Sequence, residues 1–139
     1  MNNIGVNYLL FCDAANTDSL GKTSILGVFD KILLNTVPSK YPKFTIALNI
    51  SFKNLEQEKN KVEFKIYDPQ KKELGIQPPI QLEVSIDEQN KNKGGNINLI
   101  LDIANLEFKA YGKHLLVLYF NGKEIYTKLL LIEEGRLKN

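Results

Sequence analysis

Short runs in which apolar and polar residues alternate fill most of this chain, and almost no helical pattern lies between them. In residues 44–52 every second residue is Phe, Ile or Leu, and residues 80–86 repeat the pattern with Ile, Leu and Val. Because successive side chains of a strand point to opposite faces, each run predicts a strand with one buried and one solvated face. Eight such runs predict an all-β fold.

Six strands are predicted before the C-terminal hairpin, at residues 4–13, 23–34, 43–53, 62–68, 80–87 and 97–103. Residues 14–22 are predicted as a hairpin loop, residues 37–42 as a crossover with two prolines, and residues 68–71 as a β-turn. An irregular piece carrying Leu106 and Phe108 is expected after the sixth strand. Strand spacings of about eight to twelve residues favour an antiparallel β-sandwich in one domain over residues 1–139, with a partly closed barrel as the alternative.

Charge and cysteine content narrow the classes of partner. The net charge is only +2, and Arg136 is the one arginine among 18 basic residues. Because arginine is the preferred residue for bidentate contacts to bases and phosphates, sequence-specific nucleic-acid binding is not expected. No run approaches the ~20 apolar residues of a membrane span, so no membrane partner is expected. The single Cys12 has no intrachain partner for a disulfide, which favours a reducing compartment, and we expect a cytoplasmic protein.

The last hairpin gives the clearest local signal. Asn121-Gly122 between two apolar runs indicates a type I′ turn, which places Phe120 opposite Lys123, Leu118 opposite Ile125 and Leu116 opposite Thr127. The other face of this hairpin is too apolar for a fully solvated surface, so a chain loop at residues 106–111, a second subunit or a ligand is expected to cover it. Its candidate interface residues are Leu115, Val117, Tyr119, Tyr126 and Leu130.

Residues 88–96 are charged and contain a pair of glycines, and we expect a mobile loop there. Since function concentrates on loops carried by rigid scaffolds, Asn92, Gly94 and Gly95 form a candidate binding loop. A solvated hairpin tip is the alternative for the same residues.

Side chains with catalytic potential are few. His114 is the only histidine, and we expect it to be structural; Cys12 lies among apolar residues, where a free cysteine acts as a small hydrophobe. The aspartates 13, 30 and 68 end or punctuate strands without a calcium-loop spacing, so turn formation is expected of them. Gly21-Lys22-Thr23 lacks the upstream glycine and the following helix of a phosphate-binding loop. We therefore predict no catalytic residue, no metal site and no cofactor.

Three segments in order resemble an uncharacterised bacterial family catalogued as a domain of unknown function. They are Cys12-Asp13 ending the first strand, Gly21-Lys22 followed by residues 26–30 with the sequence Leu-Gly-Val-Phe-Asp, and Pro38 followed by Tyr41-Pro42. The resemblance implies an immunoglobulin-like β-sandwich of about 7–8 strands and implies no catalytic activity. His114 departs from similar hairpins, which often carry tyrosine there.

The function expected from these features is a non-catalytic binding module, with another protein as partner and a second copy of this chain as one candidate. A small ligand bound between the sheets or in the loops is one alternative. An accessory or modulator protein of a mobile genetic element is the other.

Overall fold

The computed structural model describes residues 3–76 and 79–135, and it confirms an all-β sandwich. In these ranges nine strands and one short helix follow each other along the chain. They are β1 (Ile4–Thr17), β2 (Thr23–Phe29), β3 (Lys31–Leu34), β4 (Ser39–Phe52), β5 (Lys59–Tyr67), β6 (Ile80–Ser85), α1 (Glu88–Lys93), β7 (Gly95–Phe108), β8 (Gly112–Phe120) and β9 (Lys123–Glu134). No helix in the described ranges is long and apolar enough to span a membrane.

The strands form two sheets that pack face to face. The four-stranded sheet has the order β2-β1-β4-β7, and the five-stranded sheet has the order β3-β9-β8-β5-β6. Every pairing is antiparallel except that of β3 with β9, which is parallel. β6 and β7, the end strands of the two different sheets, lie next to each other at one side of the sandwich. β2 and β3 are the end strands at the other side.

The core lies between the sheets and is built by the alternation seen in the sequence. One side of β4 contributes a row of five buried residues, and β8 contributes a facing row. Three phenylalanines at one end pack with ring centroids 6.0 to 6.2 Å apart, a spacing typical of favourable aromatic pairs. The β4 row is Phe44, Ile46, Leu48, Ile50 and Phe52, and the aromatic cluster is Phe11, Phe29 and Phe44.

The strand predicted over residues 23–34 is wrong as one element, because it is broken at Asp30. β2 pairs with β1 in the four-stranded sheet, whereas β3 pairs with β9 in the five-stranded sheet. Gly27 in β2 has φ of 70°, and a Cβ there would collide with the carboxylate of Asp13. The chain thus crosses between the sheets within a segment that was predicted as one continuous strand.

Two predicted irregular segments are strand. β4 already begins at Ser39. Since β1 pairs only with residues 45–52 of β4, the segment around Pro42 has β7 as its single neighbouring strand, and a proline without an amide hydrogen is tolerated at such an edge. β7 continues to Phe108, so Leu106 and Phe108 are buried strand residues and not an irregular piece. Pairing with the long β4 holds both segments extended.

The predicted turn at residues 68–71 is confirmed. The amide of Lys71 donates to the carbonyl of Asp68 over 2.9 Å, and the Asp68 carboxylate accepts from the amides of Gln70 and Lys72. Asp18 closes the β1–β2 hairpin in the same way, accepting from the amides of Leu20 and Lys22. These aspartates stabilise turns by mimicking a backbone acceptor.

Candidate interaction surface

Four leucines project from the outward side of the five-stranded sheet, and we call this surface the leucine face. They come from β3, β8 and β9, where each alternates with a buried residue of the core. Leu33 is 56% exposed, Leu115 is 38% exposed and Leu129 is 42% exposed, while Leu131 is half-buried. Leu115 and Leu129 are direct cross-strand partners. Leu115, Leu129 and Leu131 therefore form one apolar group on β8 and β9, as binding surfaces do, whereas the direct cross-strand partner of Leu33 on β9 is Glu133.

Aromatic residues continue the leucine face toward β5. The hydroxyls of Tyr67 and Tyr119 are 3.1 Å apart, and the Lys65 ammonium lies 5.5 Å from the centre of the Tyr119 ring. The hydrogen bond to Tyr67, together with burial and the negative charges of Glu124 and Glu63, raises the pKa of Tyr119 to about 12. The phenol of Tyr119 is therefore neutral at physiological pH and suits an amphipathic contact.

The prediction that Tyr126 and Leu130 share this surface is wrong. Phe120 faces Lys123 as predicted, with positive φ at both turn residues, but the register then shifts by one residue. Leu118 pairs with Tyr126 and not with Ile125, and Leu116 pairs with Lys128 and not with Thr127. A bulge at Ile125 accounts for this, since one extra residue moves every later side chain to the other face.

The five predicted interface residues are consequently divided between two faces. Leu115 and Tyr119 lie on the leucine face, and Val117 lies between them but is only 3% exposed. Leu130 is buried in the core opposite His114, and Tyr126 packs against the core. Leu33, Leu129 and Leu131 were missed; the alternation within residues 129–132 would have found the last two if the bulge had been known.

The predicted mobile binding loop is wrong as a loop, because residues 88–93 form helix α1. The carboxylate of Asp87 caps the helix by accepting from the Asn90 amide over 2.8 Å, as N-cap aspartates do. Gly94 ends the helix with φ of 93° and ψ of 164°, where a Cβ would lie 2.8 Å from the backbone oxygen of Phe52. Gly95 pairs with Phe52 in β4, whereas Asn92 is exposed on the helix. Packing therefore explains both glycines.

Cys12 is fully buried on β1, where its thiol donates to the carbonyl of Thr45 over 3.5 Å. Burial and then the charge of Asp13 raise the pKa of this thiol, so the reactive thiolate is disfavoured.

His114 is fully buried on the inner side of β8, with its ring edge-on to Phe108 at 5.3 Å between centroids. Its Nδ1 lies 3.1 Å from the carbonyl oxygen of Gly112, while Nε2 has no hydrogen-bond partner among the described residues. Burial lowers the pKa of His114 below the usual 6.5, despite the opposing contributions of the Gly112 carbonyl and Asp68. The neutral ring donates from Nδ1 to this carbonyl and forms part of the core.

The three aspartates considered for metal binding each have a different local role. The Asp68 carboxylate stabilises a turn, and the Asp13 carboxylate lies against Gly27. The backbone carbonyl of Asp30 accepts a hydrogen bond from the Leu131 amide. In residues 3–76 and 79–135 no group of three or more metal-ligating side chains comes together.

Asparagines on the outward side of the four-stranded sheet form a network that was not predicted. Asn49 bonds to Asn7 and Asn98, each over 2.6 Å, and Asn7 also donates to Asn96 over 3.1 Å. Their outward positions in alternating strands are the signal that would have found them. Because these amides satisfy one another, this part of the sheet is polar, in contrast to the leucine face.

A cleft of about 320 Å³ lies at the side of the sandwich where β6 and β7 are adjacent. Most of its lining is aliphatic, including Ile80 and Leu82 of β6 and Leu101 and Ile103 of β7. β6 is the last strand of one sheet and β7 is the last strand of the other, so among the described residues each has one edge without a hydrogen-bonded neighbour.

Comparison with known proteins places the chain at the family level. No curated protein matches the sequence. The profile of DUF6941, described as a family of unknown function, matches residues 7–133, which include all of β2 to β8 and most of β1 and β9. The expected likeness to a domain of unknown function is thereby confirmed. The chain belongs to the DUF6941 family.

Proposed function

We propose that this protein is a non-catalytic module that binds another protein through the leucine face. The observation that carries the proposal is the group of outward leucines on β8 and β9, extended by Tyr119 on β8 and by Leu33 on β3. Exposed leucines in one patch cost free energy in water, and burying such a patch is a main source of protein–protein affinity. Tyrosine beside the patch is characteristic of interface composition.

The polar surroundings of the face also suit a protein partner. Lys31 pairs with Glu133 over 3.6 Å, and Lys65 pairs with Glu73 over 3.8 Å, both at its margin. An apolar centre with a charged, solvated rim is the usual anatomy of a protein interface. The other exposed large apolar side chains of the described residues, Leu20, Leu26 and Val28, lie away from the leucine face, in a turn and on the edge strand β2.

The placement of the titratable groups supports binding over catalysis. Cys12 lies on β1 of the four-stranded sheet, whereas His114 lies on β8 of the five-stranded sheet. A nucleophile and its base need to be within hydrogen-bonding reach of each other. Burial also raises the pKa of the Cys12 thiol, which disfavours the nucleophilic thiolate.

A second candidate function is the binding of a small apolar ligand in the cleft between β6 and β7. Its volume and its aliphatic lining fall within the range of small-molecule sites. If this candidate is correct, native mass spectra of the wild type show the mass of the chain plus that of a small ligand. In Leu82→Trp the indole fills the cleft, so the added mass should disappear. An unchanged added mass would place the ligand elsewhere.

We further propose an immunoglobulin-like arrangement for the sandwich. The division into one four-stranded and one five-stranded sheet, with nine strands in all, supports it because variable-type immunoglobulin domains have the same strand number.

The proposed function is tested by photo-crosslinking inside the cell that makes the protein. A photoreactive amino acid is placed at Leu115 or Leu129, and in the controls at Leu20 or Leu26, which are more exposed but lie elsewhere. We expect discrete protein adducts from positions 115 and 129 and none from the controls. Equal adducts from all four positions, or none from 115 and 129, would overturn the proposal.

A further inference from the structure

We propose that the protein bound by the leucine face is a second copy of this chain, stacked face to face with its strands antiparallel to those of the first. This inference rests on the proposed function, because it names the partner of that same surface. The observation that carries it is the distribution of charges along the face.

The two ends of the face differ in the charged side chains that flank its apolar residues, and each end also holds one opposite charge: Glu133 lies 3.6 Å from Lys31, and Lys65 lies over the Tyr119 ring. At one end Leu131 is flanked by Lys31 on β3 and Lys113 on β8, which are its cross-strand partners. We call these two lysines the basic row. At the other end Tyr119 is flanked in the same manner by Glu63 and Glu124, which we call the acidic row.

The rows are separated by the apolar part of the face. Lys113 and Tyr119 lie six positions apart on the same strand, or about 20 Å at the usual strand rise. Leu115, Leu129 and Val117 occupy the space between the rows. Glu63 and Glu124 are the cross-strand partners of Tyr119, and their negative charges contribute to its raised pKa.

This distribution selects one of two symmetric ways to stack two copies. If the strands of the copies ran parallel, lysines would meet lysines and glutamates would meet glutamates. If the strands run antiparallel, Lys113 of each copy lies above Tyr119 of the other, between Glu63 and Glu124. Leu115 and Leu129 meet at the centre in both arrangements, but only the antiparallel one places the basic row of each copy against the acidic row of the other. Like charges in an interface are strongly disfavoured.

A twofold axis makes the arrangement self-complementary. The contact between a basic row and an acidic row occurs twice, once at each end, as expected for an isologous dimer. Two sheets packed in this way keep their strands within about 30° of alignment, which retains the match along the face. The dimer closes, so it does not grow into a filament.

The test uses two variants with the charges of one row reversed. The acidic variant carries Lys31→Glu and Lys113→Glu, and the basic variant carries Glu63→Lys and Glu124→Lys. Their association is measured by sedimentation velocity at micromolar concentration, with circular dichroism to confirm that each is folded. We expect a wild-type dimer, at least tenfold weaker self-association of each variant, and a restored dimer in their equimolar mixture.

Strand direction is tested by the charge-swapped variant that carries all four substitutions. In the antiparallel arrangement it dimerises with itself, but it forms no mixed dimer with the wild type. A mixed dimer between them would overturn the antiparallel arrangement. A folded acidic or basic variant that dimerises as tightly as the wild type would overturn the role of the rows.

Failure of this inference is distinguishable from failure of the proposed function. A monomeric wild-type chain at micromolar concentration, together with crosslinks from positions 115 and 129 to a different protein, would overturn the second copy as partner and leave the binding face in place. Absence of both the dimer and the crosslinks would overturn both.

Discussion

At the scale of single residues, His114 makes the folded state sensitive to mild acid. Its ring is buried with Nε2 unpaired among the described residues, and burial lowers the pKa of the folded-state imidazole. Between that lowered pKa and 6.5 the unfolded chain binds more protons than the folded chain, so the free energy of unfolding falls as the pH falls.

We therefore expect wild-type stability to decrease as the pH is lowered through 6.5 toward the range where carboxylates titrate, an interval in which no other side chain has its unperturbed pKa. In His114→Phe, which keeps a ring against Phe108, that decrease should vanish above the range where carboxylates titrate. Urea unfolding at a series of pH values measures it. The same slope in the variant and the wild type would show that His114 is not responsible.

Gly94 is the residue whose backbone least tolerates a side chain. Its φ of 93° and ψ of 164° lie in a region that is essentially restricted to glycine, and a Cβ would contact the Phe52 carbonyl oxygen at 2.8 Å. Gly21 has a similar φ of 82°, but a Cβ there would meet no atom within 4 Å, so it serves as a matched control.

We expect Gly94→Ala to lower the free energy of unfolding by about 3 kcal/mol and Gly21→Ala by about 1 kcal/mol, because only the former adds a collision to the strain of positive φ. Thermal unfolding of both variants measures the difference. Equal losses would mean that the Phe52 carbonyl moves aside at little cost.

At the scale of elements, helix α1 depends on its cap more than on its length. It has six residues and no buried side chain, so neither propensity nor packing of an apolar face can hold it. What holds it is the Asp87 carboxylate on the Asn90 amide and the hydrogen bond from the Leu55 amide to the Lys91 carbonyl.

Removing the cap with Asp87→Ala should cost about 1 kcal/mol and speed amide exchange at Asn90. Glu88→Ala, one residue away and in the first turn of the helix, is the control and should have a smaller effect. Hydrogen exchange followed by NMR reports on this amide. Unchanged exchange in Asp87→Ala would indicate that the Lys91 contact alone maintains the helix.

The elements also show where sequence patterns suffice and where they fail. Alternation in residues 44–52 predicted the buried face of β4 correctly, and Asn121-Gly122 predicted the turn between β8 and β9 correctly, since period and turn chemistry are local properties. The bulge at Ile125 and the change of sheet at Asp30 depend on contacts with distant strands, and no local pattern marks them. That is why Leu115, Val117 and Tyr119 of β8 were placed on the correct face, whereas Leu130 of β9 was assigned to the wrong one.

At the scale of the whole molecule, the two sheets bury one set of side chains and leave another exposed. The strands that supply Leu116 and Leu130 to the core also supply Leu115 and Leu129 to the opposite side. The core thus needs only half of the apolar residues of β8 and β9. The remaining half, with oppositely charged rows at its ends, is the surface that we assign to binding.

The most direct measurement is native mass spectrometry of untagged wild type, Leu115→Glu/Leu129→Glu and the control Leu20→Glu/Leu26→Glu. We expect the wild type and the control at twice the 15.8 kDa of one chain, and the leucine-face variant at the mass of a single chain, because buried glutamates would be unpaired in the dimer. A single-chain mass for the wild type, or a dimer that survives in Leu115→Glu/Leu129→Glu, would contradict the account.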